Sequence, residues 1–114
     1  MPSNADALKQ SEILIMLAIQ RLTPSAYGVT IRDEIAKETG NQMTFGVLYS
    51  VLSRLQQNGL LSSKDGEATA ERGGRAKKYF AITGKGQRTL QSSLRSLDRL
   101  RGLTIAPAFQ GDFA

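Results

Sequence analysis

Between Thr44 and Gly59 the apolar positions recur at helical spacing, with Leu48, Leu52 and Leu55 at i, i+4 and i+7 on one stripe. Thr44 supplies a capping hydroxyl at the start, and Asn58-Gly59 supplies a left-handed residue at the end. The opposite face holds Tyr49, Ser50, Ser53, Arg54, Gln56 and Gln57 and no carboxylate. Such a face suits a polyanion, although a merely solvated face has the same composition.

The same reading places a helix on either side. From Leu8 to Leu22 the chain is apolar on nearly every side between Ile13 and Ile19, after a capping stretch at Ser3 to Asp6 and before Thr23-Pro24. A helix of that kind is buried all round, by its own core or by a second subunit. Ser25 then reads as the cap of a helix in which Tyr27, Ile31 and Ile35 share a face, stopped by Thr39-Gly40-Asn41. Two helices joined by a tight turn containing glycine make a helix-turn-helix, with the Thr44 helix as its second member.

After Gly59 the period changes. Leu60 to Lys64 and Tyr79 to Ile82 read as two strands of a hairpin, separated by Asp65-Gly66, a polar tract and Gly73-Gly74. Arg75 and Lys77 fall on one face of the returning strand and Lys78 on the other. Thr83 caps a last helix in which Leu90, Leu94, Leu97, Leu100 and Leu103 form a slowly drifting stripe, ended by Gly102 and Pro107. A helix-turn-helix with a hairpin has little core to cover so long a stripe, which therefore reads as a subunit interface together with Ile13 and Leu17 of the first helix.

Composition narrows the function. The 114 residues suffice for one core, and the chain contains neither cysteine nor histidine. Disulfides and thiolate metal sites are excluded, and the commonest general base and metal ligand is missing. No paired carboxylates or nucleophile-base spacing stands out, and Gly84-Lys85-Gly86 lacks the remainder of a phosphate-binding loop. The expectation is a protein that is not an enzyme and holds no cofactor or metal. Ile13 to Ile19 is too short to span a bilayer and the first residues lack a secretory pattern, so a cytoplasmic location is expected.

The net charge of +5 is segregated: residues 1–71 hold six basic and eight acidic side chains, residues 72–97 hold seven basic and none acidic, and residues 98–114 hold two of each. A positive excess confined to one segment makes a patch that attracts a phosphate backbone. Lysines that protect an exposed strand edge would look the same.

Helix, helix, reading helix, hairpin and leucine-rich helix is the order of a winged helix-turn-helix: a mainly α fold with a small β-hairpin and a C-terminal dimerisation helix. The expected organisation is a DNA-binding unit over residues 1–83, a dimerisation helix over 84–105 and a tail over 106–114. Tyr27-Gly28, Leu48-Tyr49 with Leu52 and Arg54-Leu55, Asn58 to Leu61, Gly74 to Phe80, and Ile82-Thr83 with Gly86 together resemble the PadR family of transcriptional regulators. The likeness runs over roughly residues 8–103.

That resemblance implies a homodimeric repressor whose reading helices enter successive major grooves of a palindromic operator in double-stranded DNA. It assigns Thr44, Phe45, Tyr49, Ser50 and Arg54 to the reading helix and its phosphate contacts, and Arg75, Lys77 and Lys78 to the wing. It assigns dimerisation to the C-terminal helix, and release of DNA to an effector whose identity the chain does not disclose. Ala76, Phe80 and Ala81 depart from the residues frequent in the family, and no tryptophan is present to line a flat aromatic pocket. Independently of the family, Thr44, Phe45, Gly46, Val47 and Ser50 can touch thymine methyls or give single hydrogen bonds, and none is the bidentate arginine that reads guanine. The competing function is a winged-helix interaction or assembly module that works through its leucine stripe.

Overall fold

The computed structural model describes residues 8–66 and 77–102. Its elements are α1 (Gln10–Leu22), α2 (Gly28–Thr39), α3 (Phe45–Gln57), the strands β1 (Leu61–Asp65) and β2 (Lys78–Ile82), and α4 (Gly84–Arg101). This is the mainly helical winged-helix order expected from the sequence. The Ser3–Asp6 cap, Gly73-Gly74, Arg75, Leu103 and the tail lie outside the described residues.

Each helix starts and stops for a local reason. The Glu12 side chain reaches back to accept from the backbone N–H of Lys9 at 2.7 Å, satisfying a donor at the start of α1. Thr44 caps α3 by accepting from the Val47 N–H at 3.1 Å. Thr83 caps α4 by accepting from the Gly86 N–H at 2.9 Å while donating its own proton to the Gly59 carbonyl at 2.7 Å. Gly40, Gly59 and Gly102 take positive φ of 76°, 80° and 80° where the sequence placed helix stops.

One cap differs from the sequence reading. Tyr27, not Ser25, is the N-cap residue of α2, and its N–H is satisfied from within the helix by Thr30 Oγ1 at 3.0 Å. Ser25 closes the turn after α1 instead: its N–H donates to the Leu22 carbonyl at 2.6 Å and its carbonyl accepts from the Thr30 hydroxyl at 2.7 Å.

The core is laid around α1. Ile15, Met16 and Ile19 are fully buried against Ile31, Leu48, Leu52 and Leu55 of the other two helices. The chain itself buries Ile13 and Ala18 as well, leaving Leu14 and Leu17 half-buried at the edge of the core. The antiparallel strands pair Leu61 with Ile82 through to Asp65 with Lys78, and Phe80 points inward. The free side of β2 is also tied down, since the Phe80 N–H donates to the Ala26 carbonyl at 2.8 Å. Gly86 is where α4 joins this body: a Cβ there would collide with the Leu60 carbonyl oxygen and lie 2.9 Å from Ile82 Cγ2. Only glycine lets the first turn of α4 pack so closely.

The leucine stripe of α4 divides. Leu90 is completely buried in the chain's own core and Leu94 packs half-buried against it, whereas Leu97 and Leu100 are 43% and 85% exposed. Ile13 and Leu90, expected at a subunit interface, are therefore covered by the single chain, because α4 starts against the body and leaves it within three turns. Leu17, Leu94, Leu97 and Leu100 keep surface to offer a partner.

Candidate nucleic-acid interface

The outward side of α3 is built by the inward one. With Leu48, Val51, Leu52 and Leu55 anchored in the core, the 3.6-residue period turns Gly46, Ser50, Ser53 and Gln57 directly to solvent. Phe45 and Tyr49 flank them on one side, Val47 and Arg54 on the other. Phe45, Val47 and Tyr49 are 39%, 49% and 48% exposed, and Val29 on the first turn of α2 is exposed as well. Large apolar side chains left in solvent beside serines are unusual for a helix whose other face is so well buried.

These exposed side chains are nevertheless held. The Arg32 guanidinium carbon lies 4.5 Å from the centre of the Phe45 ring, and the Tyr49 ring stacks on Phe45 with centroids 6.2 Å apart and an interplanar angle of 27°. Arg32 is in turn fixed by its Nε donating to the Met43 carbonyl at 2.8 Å and its Nη2 to Gln42 Oε1 at 3.4 Å. One arginine thus braces the turn between the two helices and the first residue of α3. The ring end of Tyr49 lies against Gly28, where an added Cβ would overlap its hydroxyl. Tyr49 thus packs its hydroxyl end on the start of α2 while about half of its surface stays in solvent.

Arg54, expected at a phosphate, and Lys85 in the first turn of α4 both have partners within the chain. Arg54 Nε donates to Glu12 Oε2 at 3.1 Å, so the buried carboxylate of α1 ties down the last part of α3. Lys85 Nζ donates to the Asn58 carbonyl at 3.1 Å, satisfying the C-terminal end of α3. Lys77 and Lys78 stand exposed at the mouth of the hairpin, where Lys77 Nζ sits 4.7 Å above the Tyr27 ring and Tyr27 meets Tyr79 edge to face at 5.4 Å. Gly66 allows this junction, since a Cβ there would overlap the Tyr79 ring. Gln56 Nε2 donates to Ser63 Oγ at 2.9 Å and links α3 to β1.

Sequence reasoning brought Thr44, Phe45, Gly46, Tyr49 and Ser50 to one end of one helix, and they stand there together. It missed Glu12 and Arg32, and it named Tyr27 and Tyr79 only as members of α2 and of the returning strand. A carboxylate at the edge of an apolar run was the one available signal for Glu12. Arg32 gave none, because its partners come from a turn whose geometry no periodicity specifies.

Comparison with known proteins agrees with this geometry. The model of the PadR-like transcriptional regulator family matches residues 15–92. The chain belongs to the PadR-like family. Among solved structures, a PadR-like transcription factor from Bacteroides fragilis is 33% identical, with a TM-score of 0.68 over 81% of this chain and 84% of that one. A PadR family regulator from Eggerthella lenta is 26% identical, with a TM-score of 0.66 over 81% and 78% of the two chains. A PadR-like regulator from Bacillus cereus shares the fold at 22% identity and a TM-score of 0.63, over 81% and 87% of the two chains. Comparison with functionally curated proteins returns no match. As a PadR-like protein the chain is a transcriptional regulator and not an enzyme. No helix among the described residues of this PadR-like chain is long and apolar enough to cross a membrane.

Proposed function

We propose that the chain is a homodimeric, cytoplasmic repressor that binds a palindromic operator, with α3 in the major groove and the hairpin along the flanking backbone. The observation that carries this reading is the absence of any carboxylate from Thr39 to Lys64, a stretch that includes all of α3 and most of β1. The first turn of α2 also lacks an acid, so its positive end is free to favour a phosphate. Lys77 and Lys78 supply exposed point charges at the hairpin, Lys77 over the Tyr27 ring at the start of α2, with Arg75 expected to join them. Arg54 acts chiefly by holding α3 through Glu12, and its phosphate role is secondary.

Dimerisation falls to α4. Leu97 and Leu100 leave apolar surface uncovered at the end of α4, and Leu14 and Leu17 line a shallow apolar groove of about 140 Å³ between α1 and α2, rimmed by Arg21, Glu34 and Glu38. Docking the end of α4 on the mate's α4 and α1 covers both. The competing use, an assembly module working through the same leucines, predicts tight self-association with weak DNA binding that is insensitive to salt.

The experiment is a selection of bound sequences from random duplex DNA, repeated at two salt concentrations. A recovered inverted repeat, bound with a log–log salt slope of several units, supports the proposal. Sequences without two-fold symmetry, or affinity independent of salt, contradict it.

A further inference from the structure

We propose that Phe45 and Val47 form an apolar reading edge whose ligand is the 5-methyl group of thymine in the major groove, and that Arg32 is the positioning residue that keeps Phe45 there. The inference rests on the DNA-binding reading above and goes beyond it by naming the base chemistry and a residue outside α3.

Three observations lead to it. First, the end of α3 that would meet base edges offers almost no free hydrogen-bonding groups. Thr44 Oγ1 already accepts from the Val47 N–H, and the first two turns contain no arginine, lysine, asparagine or glutamine. Arg54, Gln56 and Gln57 come only in the last turn. A surface of that kind cannot make the bidentate pairs that read guanine or adenine. Second, Phe45 and Val47 are 39% and 49% exposed on the two sides of Gly46, which has no side chain of its own to stand between them and a base edge. The thymine methyl is the one apolar group that B-DNA presents in its major groove.

Third, the exposed ring is preorganised. The Arg32 guanidinium lies 4.5 Å from the centre of the Phe45 ring and the Tyr49 ring stacks on it at 6.2 Å, and Arg32 is anchored on the Met43 carbonyl at 2.8 Å. A ring held this way loses little rotamer freedom on contact, so the methyl group it covers yields nearly its full transfer free energy. The same stack also explains why an aromatic stands in solvent in the unbound chain.

The test uses the full chain and the duplex it selects from random DNA. Each thymine is replaced in turn by uracil, which removes the methyl and leaves the pairing edge unchanged, and Kd is measured at fixed salt. At one or more positions in each half-site uracil weakens binding about fourfold, the value of one buried methyl, and elsewhere it has no effect. Val47→Ala or Phe45→Ala brings the thymine-to-uracil ratio at its position close to one. Arg32→Gln lowers the ratio at the Phe45 position without altering the salt slope, a pattern that simple loss of folded protein does not produce because it weakens both duplexes alike. If uracil is tolerated everywhere while the selected duplex is still preferred over scrambled DNA, methyl reading is wrong and the regulator reading stands. If no sequence is preferred at all, both are wrong.

Discussion

The two ends of α4 are written in the same pattern and have opposite fates. Leu90 at the start is completely buried and Leu100 at the end is 85% exposed, although each is one member of a single leucine stripe. Periodicity specifies which side of a helix is apolar; the neighbours decide whether that side is covered. At the start they are Leu60, Ile82 and the core, brought close by Gly86. At the end the described chain supplies none, and a second subunit is the occupant proposed for that space.

That contrast can be broken most sharply by truncating both ends. Leu90→Ala should destabilise the chain by about 2–5 kcal/mol in urea unfolding, at any protein concentration. Leu97→Glu combined with Leu100→Glu should change the unfolding free energy of the isolated subunit by only about 0.5 kcal/mol. It should nevertheless abolish the concentration dependence of the transition and halve the mass seen by light scattering. Equal losses from both replacements would mean that α4 is a core helix along its whole length.

A second comparison lies between the two ends of α3, one tied to α1 and one presented to solvent. Arg54→Met leaves the Glu12 carboxylate, 6% exposed, with only the Lys9 N–H as partner among the described residues, and should cost about 1–3 kcal/mol in thermal unfolding. If stability is unchanged and only DNA affinity falls, Arg54 is a phosphate contact after all. Lys77→Ala and Lys78→Ala should leave stability almost untouched, and each should flatten the log–log salt dependence of operator binding by about 0.9. Tyr49→Phe is the smallest expected effect: stability within about 0.5 kcal/mol, and affinity weakened by about 1 kcal/mol if the hydroxyl reaches a phosphate.

The helices, their stops and the hairpin were legible in the sequence because they are local. Leu48, Leu52 and Leu55 mark a face, Thr44 and Thr83 are caps, and Gly40, Gly59 and Gly102 are left-handed stops, whatever the rest of the chain does. The Ser25 cap misled because Thr30, three residues into α2, satisfies the first N–H instead. Contacts that set the site's geometry are not local. Glu12 and Arg54 are 42 residues apart, and Arg32 meets Phe45 and Met43 only after the turn between α2 and α3 has formed. For the same reason the leucine stripe suggested an interface for Leu90 that the fold itself fills.

The central claim, that paired subunits hold two α3 helices one turn of duplex apart, is tested most directly by varying the spacing between the half-sites of the selected operator. Adding about 5 base pairs rotates one half-site to the opposite side of the duplex and should weaken binding at least tenfold, and about 10 added base pairs restore the phase but set the half-sites two turns apart and should weaken it as well. Affinity indifferent to spacing would contradict the claim.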